Sequence, residues 1–181
     1  MNRQKYIFNI SVTALFVSII TVCAWVTFQY GPVPFTLQTF GVLCAGGLLG
    51  YKRGTAAVLT YIALGAVGLP VFNGFSGGFG VILGSTGGYI IGFIFTAFIT
   101  GFAAEKYAGN TAALAIAMII GVLSCYFVGT LWFLCVYTIK TGAITLGSVL
   151  MLCVVPYIIP DALKITAALI IVKRVSRIIK I

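Results

Sequence analysis

The chain lacks histidine altogether and has only two acidic residues, Glu105 and Asp161, among 181. Without histidine there is no imidazole base, no histidine-ligated metal and no axial haem histidine. Two lone carboxylates build neither an acid-rich metal site nor a catalytic carboxylate pair. Charge of either sign is scarce, at 7% of residues, against about 25% in soluble domains. The five cysteines, Cys23, Cys44, Cys125, Cys135 and Cys153, never form a C-x-x-C and all fall in apolar runs. They read as small buried residues with no metal or redox role. The Gly-rich stretch "GGFGVILGSTGG" has no following lysine and no preceding strand, so it is no phosphate-binding loop. An enzyme is therefore not expected, and neither is a cofactor.

What the chain has is apolar length. Hydrophobic residues make up 61% of it, the composition of an integral membrane protein. Runs near the spanning length fall at about Tyr6–Phe28, Gly87–Ala104, Thr111–Ile139 and Leu146–Val172. Two shorter runs, about Thr39–Leu49 and Thr55–Leu69, need tilting or shelter from neighbours. The N-terminal "MNRQKYIFNI" enters a long span with no small-residue cleavage site, and reads as a retained first helix. Period-2 alternation is absent, which excludes a transmembrane barrel. The expectation is an all-α, six-span, single-domain protein over residues 1–181.

The net charge of +9 would suggest nucleic acid in a soluble protein. Here the cations cluster at span ends, which points to topology and anionic headgroups instead. Arg3, Lys5, Lys52, Arg53, Lys106, Lys173, Arg174, Arg177 and Lys180 alternate with connections that hold only Lys140. This bias predicts both termini on the cytoplasmic side. Trp25 and Tyr30 fit an interfacial aromatic belt, and Lys140 fits an exposed rim.

Two outer connections are distinctive. In "QYGPVPFTLQTF", Pro32 and Pro34 fix an extended path before a helix start near Thr36. "GLPVFNGFSGGFGVILGSTGGY" is uncharged and glycine-rich yet keeps Phe72, Phe75 and Phe79. A flexible linker would be polar, so an apolar cover, a lid between the third and fourth helices, is expected. Small residues recur every fourth position at Gly84, Gly88 and Gly92, and at Ala113, Ala117, Gly121, Cys125 and Gly129. Such faces let helices pack closely. On the first helix Ser11, Ala14, Ser18 and Thr21 make a small, weakly polar stripe open to lipid or a partner subunit.

The chemistry concentrates in "YIIPDALKITAAL", where Asp161 and Lys164 lie three apart on one helical face. Counted from Val172, Asp161 lies about 16 Å into the sixth span. Each charge costs roughly 2.5–3.5 kcal/mol at mid-membrane, unless the two pair or face a polar cavity. Pro156 and Pro160 free carbonyls just before them, which suits a cavity lining. The carboxylate can accept from an N–H-rich group, and the ammonium can pair with an anion. Thr36, Gln38, Asn73, Thr86 and Tyr89 are further polar candidates near the outer connections. By residues alone, a solute-capturing subunit and a stand-alone carrier coupled to protons through Asp161 both remain open.

Three ordered motifs then carry a resemblance. "GPVPFTLQTFGVLCAGGLLGYKRG" (31–54), "YIALGAVGLPVFNGFSGGFGVILGSTGGYIIGF" (61–93) and "PDALK" (160–164) are similar to those of the BioY family, the biotin-specific S components of energy-coupling factor (ECF) transporters. The resemblance spans essentially the whole chain. It implies a six-helix subunit of the cell membrane that captures biotin from outside. It also implies a transmembrane coupling subunit and two cytoplasmic ATPase subunits as partners, with ATP use driving toppling and release inside. By motif match Asp161, Lys164, Asn73 and Tyr89 would bind the substrate, and Gln38, Thr36, Phe35 and Phe72 are expected beside them. The family's Ala-x-x-x-Ala coupling contact falls on Ala14 and Ser18, with serine in the second place. Ser85 stands where relatives often have proline.

Overall fold

The computed structural model describes residues 3–29 and 33–178. Tyr30, Pro32 and Lys180 lie outside the described residues. Helix α1 (Arg3–Trp25) leads into a minimal antiparallel ribbon, β1 (Thr27–Phe28) with β2 (Phe35–Thr36), in which Thr27 faces Thr36 and Phe28 faces Phe35. Then follow α2 (Gln38–Val67), α3 (Phe79–Ile82), α4 (Gly87–Lys106), α5 (Thr111–Thr141), α6 (Leu146–Cys153) and α7 (Ile158–Ile178). Short 3-10 turns at Asn73–Phe75 and Val155–Tyr157 precede α3 and α7.

The two short apolar runs are the two halves of α2. Gly50 interrupts it with φ 77° and ψ 179°, a conformation open to glycine and strained for other residues. The second half folds back on the first. A Cβ on Gly54 would lie 2.9 Å from the Ala45 carbonyl oxygen and 2.9 Å from the Gly46 Cα, an approach impossible along one straight helix. Residues 38–49 rise only about 18 Å, short of the ~30 Å hydrocarbon core. Shelter comes from α4, whose Gly101 packs onto the backbone of Gly50 and Tyr51.

Helix α4 is the hub, packed against α2 on one side and α5 on the other. The small residues at every fourth position explain the second contact. Gly88 receives the Trp132 side chain, Gly92 meets Cys125, Gly121 meets Thr96 and Gly129 meets the Tyr89 ring. Thr96 also donates to the Gly121 carbonyl at 2.8 Å. The inner faces bury Ile20, Val42, Leu43, Val58 and Met118 completely. The outer faces keep large apolar residues exposed, as along α5 at Ile116, Ile119, Ile120, Leu123 and Phe127. A continuous apolar exterior of that kind needs lipid, not water. Among the described residues four helical stretches are long and apolar enough to cross a membrane: Arg3–Trp25, Gly87–Lys106, Thr111–Thr141 and Leu146–Ile178.

Several expectations change. The sixth apolar stretch is not one continuous helix: a 3-10 turn holding Pro156 separates α6 from α7, and Pro160 lies in the first turn of α7. The first span ends at Trp25, and Thr27–Phe28 turn into the ribbon. Thr21 is buried and bonds back to the Val17 carbonyl, so it leaves the outward stripe, while Ala14 and Ser18 stay exposed. Cys135 is exposed, not buried, and all five cysteines are free thiols.

Candidate functional site

The site grows from the proline break between α6 and α7. Pro156 is the second residue of the 3-10 turn, and Pro160 sits in the first turn of α7, where a missing N–H leaves no bond unmade. Asp161 occupies the same turn. A carboxylate there meets the positive end of the helix dipole, which is why the charge is tolerated away from water. The break expected from Pro156 and Pro160 just before the charge pair is present.

Both Asp161 oxygens are engaged. Lys164 Nζ donates to Oδ1 at 2.7 Å. The Tyr126 hydroxyl of α5 donates to Oδ2. Asp161 and Lys164 are both buried, and no other ion pair forms among the described residues. Lys164 Nζ also sits 4.1 Å from the centroid of the Phe35 ring, a cation–π contact strengthened by burial. The ribbon thereby presses on the pair from above, and the Tyr157 hydroxyl fixes it by donating to the Val33 carbonyl.

Around this charge pair lies a cavity. Its walls include Tyr89, Ile90 and Phe93 of α4 with Val122, Cys125 and Tyr126 of α5. Thr36, Gln38, Asn73 and Thr86 close the side nearer the connections, and Cys153 and Tyr157 complete the break side. Gln38 is held tightly: Thr36 Oγ1 donates to its Oε1 at 2.8 Å, and its Nε2 donates to the Tyr61 hydroxyl at 2.5 Å. The buried hydroxyls of Tyr89 and Thr130 have no hydrogen bond of normal geometry among the described residues. Buried donors left unpaired are costly, and Tyr89 lines the cavity. The cavity volume is about 60 Å³, room for a few water-sized groups. A larger ligand enters only if the walls part.

Six of the eight expected binding residues line this one cavity: Asp161, Lys164, Asn73, Tyr89, Gln38 and Thr36. Phe35 and Phe72 do not. Phe35 faces a lateral apolar groove with Phe40, Ile159 and Leu163, and its ring meets the site at Lys164. Phe72 is fully buried beside Tyr61, ring edge to ring face, in the space left by Gly65. It supports the tyrosine that holds Gln38. The glycine-rich connection does not fold its aromatic rings over the cavity either. Phe75 packs on Trp25 and Phe79 is exposed, while Asn73 and Thr86 reach the cavity. The connection is tied down through Trp25 Nε1 to the Pro70 carbonyl and Trp132 Nε1 to the Gly84 carbonyl, each at 2.9 Å.

Tyr126, Tyr157, Phe93, Cys125 and Cys153 are cavity residues that sequence reasoning missed. Cys125 belonged to the recognised small-residue stripe, whereas Tyr126, one residue on and about 100° round the helix, carried no signal of its own. Nothing in a single sequence separates Tyr157 from an interfacial tyrosine.

A family model described as the BioY family matches residues 1–181. The chain belongs to the BioY family. The three-motif resemblance is thereby borne out. A relative described as a probable biotin transporter BioY, from Pyrococcus horikoshii, is 42% identical over 168 residues, covering 93% of this chain and 96% of the relative. The biotin transporter BioY of Thermotoga maritima is 40% identical over 171 residues, covering 91% and 93%. Among solved structures, the S-component for biotin from an ECF-type ABC transporter superposes with a TM-score of 0.87 at 31% identity. That match covers 98% of this chain and 95% of the other. The BioY family is one of transporters, not enzymes.

Proposed function

We propose that this chain captures biotin at the outer face of the cell membrane as the S component of an ATP-driven importer. It crosses the membrane six times, the two halves of α2 counting separately and α6–α7 together, with both termini cytoplasmic. The observation that carries the reading is the buried Asp161–Lys164–Tyr126 cluster facing a cavity shared with Thr36, Gln38, Asn73 and Tyr89. Biotin has a ureido ring rich in N–H, an apolar thiophane and chain, and a carboxylate. The site has an acceptor, aromatic and aliphatic walls, and a cation to match. Phe35 acts as a positioning residue that holds Lys164, and Phe72 acts through Tyr61 and Gln38.

Capture needs no energy input in this scheme; release does. A transmembrane coupling subunit docks on the exposed Ala14–Ser18 face of α1, and two cytoplasmic ATPase subunits supply the work. The Gly-rich connection opens as a lid by swinging Asn73 and Thr86 off the cavity.

Titration of the purified chain with biotin, without ATP, tests the reading. One site with a Kd below micromolar is expected, and Asp161→Asn is expected to weaken it at least about tenfold, or ~1.4 kcal/mol. No binding at micromolar biotin rejects the reading. Uptake into vesicles by this chain alone, driven by a proton gradient, would instead assign a stand-alone carrier for a small anion.

A further inference from the structure

The end of the bundle opposite the cavity carries a second, quite different recess. It opens where the α4–α5 turn meets the last turns of α7, with a volume of about 600 Å³. Its floor is apolar, made by Gly47, Ala104, Leu114 and Val172. Its rim is polar, with Asn110, Thr111 and Ser176 beside Lys173 and Arg177. Lys173 and Arg177 are four apart on one face of α7, an arrangement of like charges that is unfavourable without a counter-charge. Neither acidic side chain supplies one among the described residues. Asp161 is held by Lys164 and Tyr126, and Glu105 accepts from the Tyr51 N–H at 3.1 Å.

Arg174 likewise has no side-chain partner among the described residues but stands outside the recess, and the other neighbouring cations differ. Lys52 lies 5.6 Å from the Tyr51 ring centroid, and Lys106 lies 5.3 Å from that of Phe102. Arg53 donates to the Leu49 carbonyl and to Asn9 Oδ1. The side-chain charges of Lys173 and Arg177 have no partner among the described residues. They are also the two that share a recess with an apolar floor.

We propose that this recess binds the phosphodiester headgroup of an anionic membrane lipid. Lys173 and Arg177 clamp the phosphate, Arg177 with its planar fork, and the apolar floor takes the glycerol and first acyl methylenes. Basic recesses between helix ends on the cytoplasmic side are suited to such headgroups. An acidic protein segment would satisfy the cations but not the apolar floor. The inference rests on the membrane orientation proposed above, not on biotin.

The test is native mass spectrometry of the full chain released from micelles doped with phosphatidylglycerol. Wild type is expected to retain one phosphatidylglycerol molecule in preference to phosphatidylcholine. Lys173→Gln with Arg177→Gln is expected to lower that retention at least about tenfold. Lys52→Gln with Lys106→Gln is expected to leave it unchanged. Equal loss in the two double variants overturns the proposal in favour of diffuse surface charge. Displacement of the lipid by millimolar inorganic phosphate overturns it in favour of a soluble anion. Unchanged retention with loss of co-purification with the coupling and ATPase subunits overturns it in favour of a protein contact. A biotin titration of each sample reports folding and fails or succeeds separately.

Discussion

Asp161 and Glu105 are both placed at a helix break, yet at opposite ends of the bundle. Asp161 stands at the proline break between α6 and α7, and Glu105 closes the glycine break in α2 by accepting from Tyr51 N–H. Glu105 bonds to backbone, which cannot leave, and it is exposed. Asp161 bonds to two side chains, Lys164 and Tyr126, and it is buried beside a cavity. A carboxylate satisfied by backbone locks a fold. One satisfied by side chains can exchange partners with a ligand, because the side chains can swing without unfolding a helix. In a chain with two carboxylates, one serves the hairpin and the other the site.

The comparison breaks most visibly at Asp161. Asp161→Ala strands a buried lysine, and removing one member of a buried pair costs about 3–5 kcal/mol. A large fall in thermal midpoint in detergent is expected, with loss of biotin binding. Pairing Asp161→Leu with Lys164→Met is expected to recover most of the stability, since replacing both charges is close to neutral. Binding is expected to stay lost. If binding returned with stability, the pair would be a structural clasp and the contrast with Glu105 would collapse.

Gly50→Ala is the counterpart at the other break. A Cβ there falls 1.9 Å from Glu105 Oε1, on a residue with φ 77°. Backbone strain of about 1–3 kcal/mol adds to the loss of the carboxylate contact, so a destabilisation of about 3 kcal/mol is expected. The biotin Kd is expected to move by less than about threefold, because the site lies at the far end. A tenfold change in Kd would show that the two breaks are coupled.

How much of this was readable beforehand differs between the ends. The two short helical runs, the small-residue packing of α4 on α5 and the charge pair all follow from local patterns, and each is present. The proline break was visible as Pro156 and Pro160, but its consequence was not: apolar count alone runs Leu146 to Val172 together, and only backbone geometry turns Asp161 into a first-turn residue. Phe35 and Phe72 neighbour Thr36 and Asn73 in the chain, yet neither lines the cavity. Whether a ring faces a cavity or a core depends on strand and turn direction, which adjacency does not encode. Tyr126 entered the site from a helix 35 positions away. Its role is a tertiary contact, invisible without the fold.

Tyr126→Phe sharpens the site side of the contrast. It removes one hydrogen bond to a charged group, worth about 1.5–3 kcal/mol, and adds no void. If Tyr126 positions Asp161 for the ligand, affinity for biotin falls about tenfold or more. If it only rigidifies the helix pair, the thermal midpoint falls and affinity holds. Titration and melting on one preparation distinguish the two, and Asp161→Asn on the Tyr126→Phe background then reports coupling: the two effects on Kd should be less than additive, because they act on one cluster.

The smallest effect belongs to Glu105. Its bond to Tyr51 N–H is at the surface, where water offers the amide a substitute, so the net value of the bond is about 1 kcal/mol. Glu105→Gln keeps an acceptor oxygen in the same place and is expected to cost only about 0.5 kcal/mol. Glu105→Ala removes the acceptor and is expected to cost about 1 kcal/mol. Neither is expected to change the biotin Kd. The ordering of the two variants is the informative result. If glutamine were as damaging as alanine, the charge would matter and not the acceptor, and the carboxylate would be balancing Lys52, Arg53 and Lys106 around the break. If glutamine is nearly silent, the second carboxylate is a backbone cap that happens to be charged, and Asp161 is left as the acid whose charge the protein uses.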